Sequence, residues 1–424
     1  MKFSSRTPLI TGIDIGSSAV RIAVGQIINQ GSGELLQILG CAEVPAEGIH
    51  KGIITSIDDA VSSVAACLER AERLAGAQVS HAIVGISGSH ILSQQSKGVV
   101  AVAKPDGEIT EEDVVRAVEA ARTVATPVNY EILHVIPKTF TVDGQSGIKD
   151  PTGMTGVRLE VDAQIIQGVS SQIKNISRVV YRTGLEIDSL VLSILAAADV
   201  VTTQRQKELG VAVVNIGAST TSIAIYEEGD VLHTAILPIG SEHITSDIAI
   251  GLRTSIDVAE RVKTQFGTVL PKAVGRKEEI FLAELGATEQ EVVDRKYVAE
   301  IIEARAEEIF RKIDKEFRAV ERSGLLPAGV LFTGSGSRID GLVELAKKEL
   351  RLPAGLGYPI DITSLSEKVN DLAFASAIGL VAWGAEHGAV QSVRGAKLSS
   401  LGHSFKDIKS ASHQVREWIR SLLP

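Results

Sequence analysis

At 424 residues the chain is too long for one ordinary core and points to several lobes, which at 44% hydrophobic but only 4% aromatic residues are built from Ile, Val, Leu and Ala. A net charge of −9 argues against a nucleic-acid binder, and two cysteines, Cys41 and Cys67, with no CxxC pair argue against a disulfide framework or a thiolate zinc site. The N-terminus, with Lys2 and Arg6 but no long apolar h-region, does not read as a secretory signal, and the longest apolar stretches (190–201 and 374–383) are too short to span a bilayer, so a cytoplasmic protein is expected.

Residues 11–21, TGIDIGSSAVR, read with their apolar flanks as a strand, a tight turn and a second strand. Gly16 removes the Cβ that would block close approach, so backbone N–H groups and the Ser17 and Ser18 hydroxyls can point at an anion such as phosphate. Asp14, at the mouth of the turn, can hold a hydrated Mg²⁺. A plain Gly-Ser hairpin is the alternative. A strand at 35–44 follows, then a helix over 57–74 with Ile57, Val61, Val64 and Leu68 on one face, then a strand at 81–86. Residues 87–168 change character, with short β runs at 99–102, 132–142 and 157–166 around one helix. Thr110 is its expected N-cap, and Asp113 stands where a capping box usually has a longer side chain. This reads as a small α+β lobe inserted into the first domain.

Helix 171–183, strand 185–190 and an apolar helix over 193–203 lead to a repeat. VVNIGASTTSIAI, at 213–225, echoes the first hairpin with Asn215 in place of Asp14. Two such hairpins suggest a duplicated domain closing on one polyphosphate from both sides. A strand at 231–238 and helices over 240–252, 255–266 and 294–323 come next, the last with Val298, Ile301, Ile302, Ile309, Ile313 and Phe317 as its apolar stripe. Residues 271–286 read as loop and short strand. VLFTGSGSRIDG, at 330–341, is a strand breaking into Gly334-Ser335-Gly336 before a helix, where a flat ring can lie against backbone; a turn with no ligand is the alternative. Neither GxxxxGK[ST] nor GxGxxG occurs, so P-loop and dinucleotide folds lose their main support. After an apolar helix over 371–383, residues 384–402 read as a Gly/Ser linker and 403–424 as an amphipathic helix. Phe405, Ile408, Val415, Trp418, Ile419, Leu422 and Leu423 cluster on one side of that helix. Lys406, Lys409, Arg416 and Arg420 flank or oppose them, as an interfacial helix requires. From Arg394 onward the charge is +4, leaving −13 on the rest of the chain.

Phosphate hairpin, phosphate hairpin and glycine turn, in that order in a duplicated α/β chain, resemble the actin and Hsp70 ATPase superfamily. Within it the chain is similar over nearly its whole length to the bacterial cell-division family FtsA. ILHVIPKTFTVDGQSGIKDPTGMTGVRLEV (132–161) looks like that family's inserted lobe and HTAILPIGSEHITSDIA (233–249) like its post-hairpin segment. The resemblance implies an α/β, actin-like, duplicated two-domain fold with an inserted small α+β subdomain and a C-terminal amphipathic helix. Its subdomains would be 1A (1–86, 169–192 and a return over 359–387), the inserted 1C (87–168), 2A (193–242 and 329–358) and 2B (243–328). A linker over 388–402 and a membrane-targeting helix over 403–424 would follow. It also implies ATP and Mg²⁺ in a central cleft, self-polymerisation, attachment to anionic lipids on the cytoplasmic side of the membrane at the division site, binding of the FtsZ C-terminal peptide, and recruitment of other division proteins.

By the same resemblance, Asp14, Gly16, Ser17, Ser18 and Arg21 stand at the first phosphate positions, with Asp14 reaching Mg²⁺ through water. Gly217, Ser219 and Thr220 stand at the second, beside Asn215. Glu260 and Lys263 match the nucleoside-contacting helix, and Gly334, Ser335 and Gly336 the adenosine turn. Arg305 and Arg311, about 240° apart around their helix, fall where the family's FtsZ-binding lobe carries basic residues. Two positions depart from the superfamily. Asn215 replaces an Asp and can neither carry negative charge nor act as a base. Ser335 replaces the second Gly of TGG, adding a Cβ where the nucleoside packs. ATP binding with at most slow hydrolysis is therefore expected. A sugar-kinase-like phosphotransferase and a pilus or envelope-assembly adaptor share the fold, but the first needs a deep catalytic base for which the sequence offers no candidate.

Overall fold

The computed structural model describes residues 8–30, 33–123, 126–287 and 292–395. It divides into two units, one built from the chain up to His90 and from Lys174–Ala382, the other from Ile91–Ile173 and the chain from Trp383.

The first unit contains the same five-stranded sheet twice. In one copy the order is Glu186–Leu192, His81–Ile86, Leu9–Ile15, Ala19–Gln30, Gly33–Pro45, with Thr363–Ser364 added at the edge. In the other it is Ala354–Leu356, Gly329–Thr333, Val211–Ile216, Thr221–Glu227, Asp230–Leu237. Each runs three strands parallel and then two antiparallel. The duplication extends to register: Asp14 lies opposite Arg21 as Asn215 lies opposite Ser222.

Helices cover these sheets as their apolar spacing requires. Ile57–Ala75 buries Val64, Cys67 and Leu68 and stops at Gly76 in the left-handed conformation. Arg295–Ala319, N-capped by Asp294, buries Val298, Ile302, Ile309, Ile313 and Phe317, while Ile301 is only partly covered. The core of the second sheet gathers around Phe310, Phe317 and Phe332, with the two phenylalanine rings of 310 and 332 meeting edge-on at 5.7 Å.

The second unit is an antiparallel sheet in the order Ile91–Ala101, Arg158–Val169, Tyr130–Val142, Gln145–Ile148. One face carries the Glu111–Thr123 helix, whose Val114, Ala117 and Val118 pack on Leu159, Val161 and Phe140. Asp113 closes the helix start despite its short side chain. Its carboxylate accepts from the Thr110 N–H (2.9 Å), the Thr110 hydroxyl (2.7 Å) and the Ala103 N–H (3.1 Å), and it pairs with Arg116. Burial alone would raise this carboxyl, but the Thr110 and Ala103 bonds and Arg116 outweigh it and hold its pKa near 2.

Three expectations are corrected. The strand expected at 99–102 begins at Ile91, because pairing with Arg158–Val169 orders a polar stretch that has no β periodicity of its own. The helix expected over 193–203 ends at Val201, and Thr203 opens a new helix, Gln204–Leu209, through a capping box with Gln206. The last helix, Ala375–Gly395, runs past Trp383 into the stretch read as linker over 384–402, including 388–395. No proline stops it, single glycines cost about 1 kcal/mol each, and Trp383 stacks on His387 at 4.5 Å and meets His134 edge-on at 6.0 Å. The amphipathic segment 403–424 and the rest of the linker lie outside the described residues. Among the described residues no helix is long and apolar enough to cross a membrane.

The Asp113 network makes the inserted lobe acid-sensitive. Its folded pKa is depressed, so its contribution is fully present above the unfolded value of about 3.9 and fades as the pH falls towards about 2. Asp113→Ala should cost about 2–3 kcal/mol at neutral pH, read as faster hydrogen exchange across 111–123. Unchanged exchange there would contradict the role given to Asp113.

Candidate functional site

The two hairpins face one cleft of roughly 630 Å³, counting space open to solvent. Both turns close alike: the Gly16 N–H donates to the Ala19 carbonyl (3.1 Å) and the Gly217 N–H to the Thr220 carbonyl (2.9 Å). Asp14, Gly16, Ser17, Ser18 and Arg21 line one side, and Asn215, Gly217, Ser219 and Thr220 the other. Gly334 and Ser335 complete the wall. Most of the lining is hydroxyl and backbone amide, with Asp14 as its carboxylate and Arg21 as its cation.

Asp14 accepts from the Ser193 hydroxyl at 3.2 Å. Burial raises its carboxyl pKa, while Arg21 and Ser193 pull it back down, and a bound cation would relieve that burial penalty further. Arg21 donates its Nε to Glu43 at 2.7 Å and stays close to the first turn, since a Cβ at Gly16 would lie 3.9 Å from Arg21 Nη1. Ser17 Oγ accepts the Gly52 N–H at 3.0 Å, which leaves the Ser17 proton for another acceptor. On the opposite wall Ser219 donates to Glu242 at 2.6 Å, and the Ser241 and Glu242 amides bond the Gly217 and Ala218 carbonyls, both at 2.9 Å. The second turn is thereby fastened to the start of the Ser241–Leu252 helix.

Asn215 donates its amide to Ser376 Oγ at 3.0 Å. Its Oδ1 lies so near Gly334 that a Cβ there would come within 2.2 Å, and Gly334 has φ +86°, so that position takes glycine on two counts. Gly336 is buried, packs the turn against Ile216 and lies outside the cleft lining.

Several residues fall elsewhere than expected. Glu260 and Lys263 are outside the cleft lining. Lys263 is buried and donates to Glu260 (2.6 Å) and Thr245 (2.8 Å), tying the Ile256–Phe266 helix to Ser241–Leu252. Arg305 forks onto the Asp247 carboxylate, with Nη2 at 2.8 Å, and also pairs with Glu308, so its charge is already engaged. Arg311 is exposed. The tail positions from Phe405 to Leu423 lie outside the described residues.

Four lining serines had no sequence assignment: Ser87, Ser193, Ser222 and Ser376. The duplication held a signal for the first, because Ser87 follows His81–Ile86 as Gly334 follows Gly329–Thr333. Ser87 and Ser222 share a hydrogen bond at 3.2 Å. Ser193 and Ser376 sit at helix starts that only the fold brings to the cleft.

The residues present suit a nucleotide with a hydrated divalent cation. The glycine turns bring backbone amides to the cleft, and the side chains beside them offer hydroxyls and the Arg21 guanidinium. Among the described residues no group of three His, Cys, Asp or Glu could hold a metal, so a cation here would rely on Asp14, water and ligand oxygens.

A doubled sheet around such a cleft, with a lobe inserted in the first half, defines an actin-like α/β protein with an SHS2-type insertion. Residues 88–167 match the family described as "SHS2 domain inserted in FTSA", and 212–379 match "Cell division protein FtsA". The chain is 36% identical over 395 residues to the cell division protein FtsA of Pseudomonas aeruginosa, covering 92% of this chain and 94% of that one. It belongs to the FtsA family of cell division proteins. Among solved structures, the PilM–PilN type IV pilus biogenesis complex superposes with a TM-score of 0.66 at 16% identity, over 89% of this chain and 98% of that one. MreB 5 of Spiroplasma citri bound to AMPPNP gives 0.51 at 12% identity, over 92% and 100%. Both likenesses are of fold.

Proposed function

We propose that this FtsA-family protein binds Mg-ATP in its cleft, polymerises, and tethers FtsZ filaments to the cytoplasmic face of the membrane at the division site through its C-terminal helix. The observation that carries the nucleotide reading is the pair of equivalent turns, closed by the same hydrogen bond, facing one cleft. The AMPPNP-bound state of the MreB 5 neighbour supports it.

In this reading the Gly16–Ser18 amides and the free Ser17 proton hold phosphate from one side, and Gly217, Ser219 and Thr220 from the other. Arg21 supplies positive charge. Gly334, Ser335 and Gly336 form the nucleoside side. Asp14 holds the ion through its water, and Mg²⁺ when bound neutralises phosphate charge. Glu260 and Lys263 act on the nucleoside through the helix they tie in place. Asn215 offers no base opposite Asp14, so turnover is slow, and a phosphotransferase reading lacks its proton acceptor.

For membrane attachment, Phe405, Ile408, Val415, Trp418, Ile419, Leu422 and Leu423 enter the interface. Lys406, Lys409, Arg416 and Arg420 meet anionic headgroups, each worth roughly 1 kcal/mol. After the cost of ordering the segment, one copy binds weakly, and a polymer presenting many copies binds firmly. The acidic FtsZ C-terminal peptide docks on the lobe bearing Arg311, and other division proteins assemble on the polymer.

Mg-ATP should raise the melting temperature by mass action with little phosphate release. An unmoved midpoint at millimolar ligand would refute the nucleotide reading, and brisk release would refute the reading of Asn215. Truncation after Gly402 should abolish co-sedimentation with anionic liposomes while the nucleotide-induced stabilisation persists. Continued sedimentation would rule out the tail as the anchor.

A further inference from the structure

Ser193 and Ser376 occupy matching places at the two hairpins, one beside Asp14 and the other beside Asn215. Their hydrogen bonds run in opposite senses. Ser193 donates to the Asp14 carboxylate at 3.2 Å, whereas Ser376 Oγ accepts from the Asn215 amide at 3.0 Å. A hydroxyl has a single proton to give. That of Ser193 is committed to Asp14; that of Ser376 is not used by Asn215.

A helical serine commonly returns its proton to the carbonyl four residues earlier. For Ser376 that carbonyl is Leu372's, and it already accepts the Gly334 N–H at 3.0 Å and the Thr333 hydroxyl at 2.9 Å, which fills both lone pairs. Ser376 is 2% exposed and still lines the cleft, so the open direction for its O–H is the ligand space.

We propose that Ser376 donates its hydroxyl proton to a phosphate oxygen of the bound nucleotide, and that Asn215 is the positioning residue that turns it there. This rests on the nucleotide reading of the cleft. It also gives the amide at 215 a use. An aspartate would have only acceptor oxygens to offer, would take the Ser376 proton for itself, and would return this side of the cleft to the arrangement seen at Asp14 and Ser193. Asparagine gives up a second carboxylate and gains a donor to the ligand.

The test is the Mg-ATP dissociation constant of the full chain, its Ser376→Ala and Asn215→Asp variants and the double variant, with ligand-free unfolding midpoints confirming that each folds. Ser376→Ala should weaken binding roughly tenfold, the loss expected for one hydrogen bond to a charged acceptor. Ser376→Thr, which keeps the hydroxyl, should bind within about threefold of the wild type, on the same reasoning. In the Asn215→Asp background, adding Ser376→Ala should change affinity by less than about twofold, because the proton is already diverted. Wild-type affinity in Ser376→Ala would overturn the proposal and leave the nucleotide reading standing. An equal loss in both backgrounds would overturn the role given to Asn215. No Mg-ATP binding by the wild type would remove the nucleotide reading, and the proposal with it.

Discussion

Three backbones touch at the centre of the first unit, and the cleft depends on that contact. A Cβ at Gly12 would fall 2.3 Å from the Ala377 carbonyl oxygen, and one at Gly379 would fall 2.0 Å from the Ala196 carbonyl oxygen. Strand Leu9–Ile15, helix Ala375–Gly395 and helix Ser193–Val201 are thereby stacked at distances that side chains would forbid. Asp14 lies two residues beyond Gly12, Ser376 one before Ala377 and Ser193 three before Ala196. The same packing that joins the two sheets therefore sets where the polar groups of the cleft stand. A shift at either glycine would separate Asp14 from Ser193 and Asn215 from Ser376 together.

The chemistry of the cleft follows from what is placed there. Its walls offer neutral donors from two equivalent turns, with one carboxylate and one arginine. Such walls can accommodate a charged polyphosphate that brings its own cation, and they hold no second carboxylate opposite Asp14. Ser219 and Gly217 are fastened to the Ser241–Leu252 helix, and that helix to Ile256–Phe266 through Lys263, so the second turn and both helices form one hydrogen-bonded unit.

Much of this was legible because local sequence and global fold agree. Gly-Ser turns between β-branched runs mark both hairpins, and their echo marks the duplication before any strand order is known. The stripe on Arg295–Ala319 shows as helical periodicity alone. The missed features are those decided by pairing at a distance. Ile91–Ala101 is a strand because Arg158–Val169 lies beside it. Arg305 looks like a free surface cation until Asp247, on another helix, takes both sides of its fork. Glu260 and Lys263 sit one turn apart, yet the Thr245 hydroxyl that both of them meet comes from the neighbouring helix. Ser193 and Ser376 carry no motif, since each reaches the cleft only through the stacking at Gly12 and Gly379. The helix beyond Trp383 was hidden by its glycine content, which mimics a linker until ring stacking at His387 and His134 is included.

The central claim is that two equivalent hairpins hold one polyphosphate between them, and amide hydrogen exchange with and without Mg-ATP tests it most directly. Protection should appear together at Gly16–Ser18, at Gly217–Thr220 and at the Gly334–Gly336 turn, with little change across the inserted lobe helix Glu111–Thr123. Protection confined to one hairpin, or absent from both while the protein remains folded, would contradict the account.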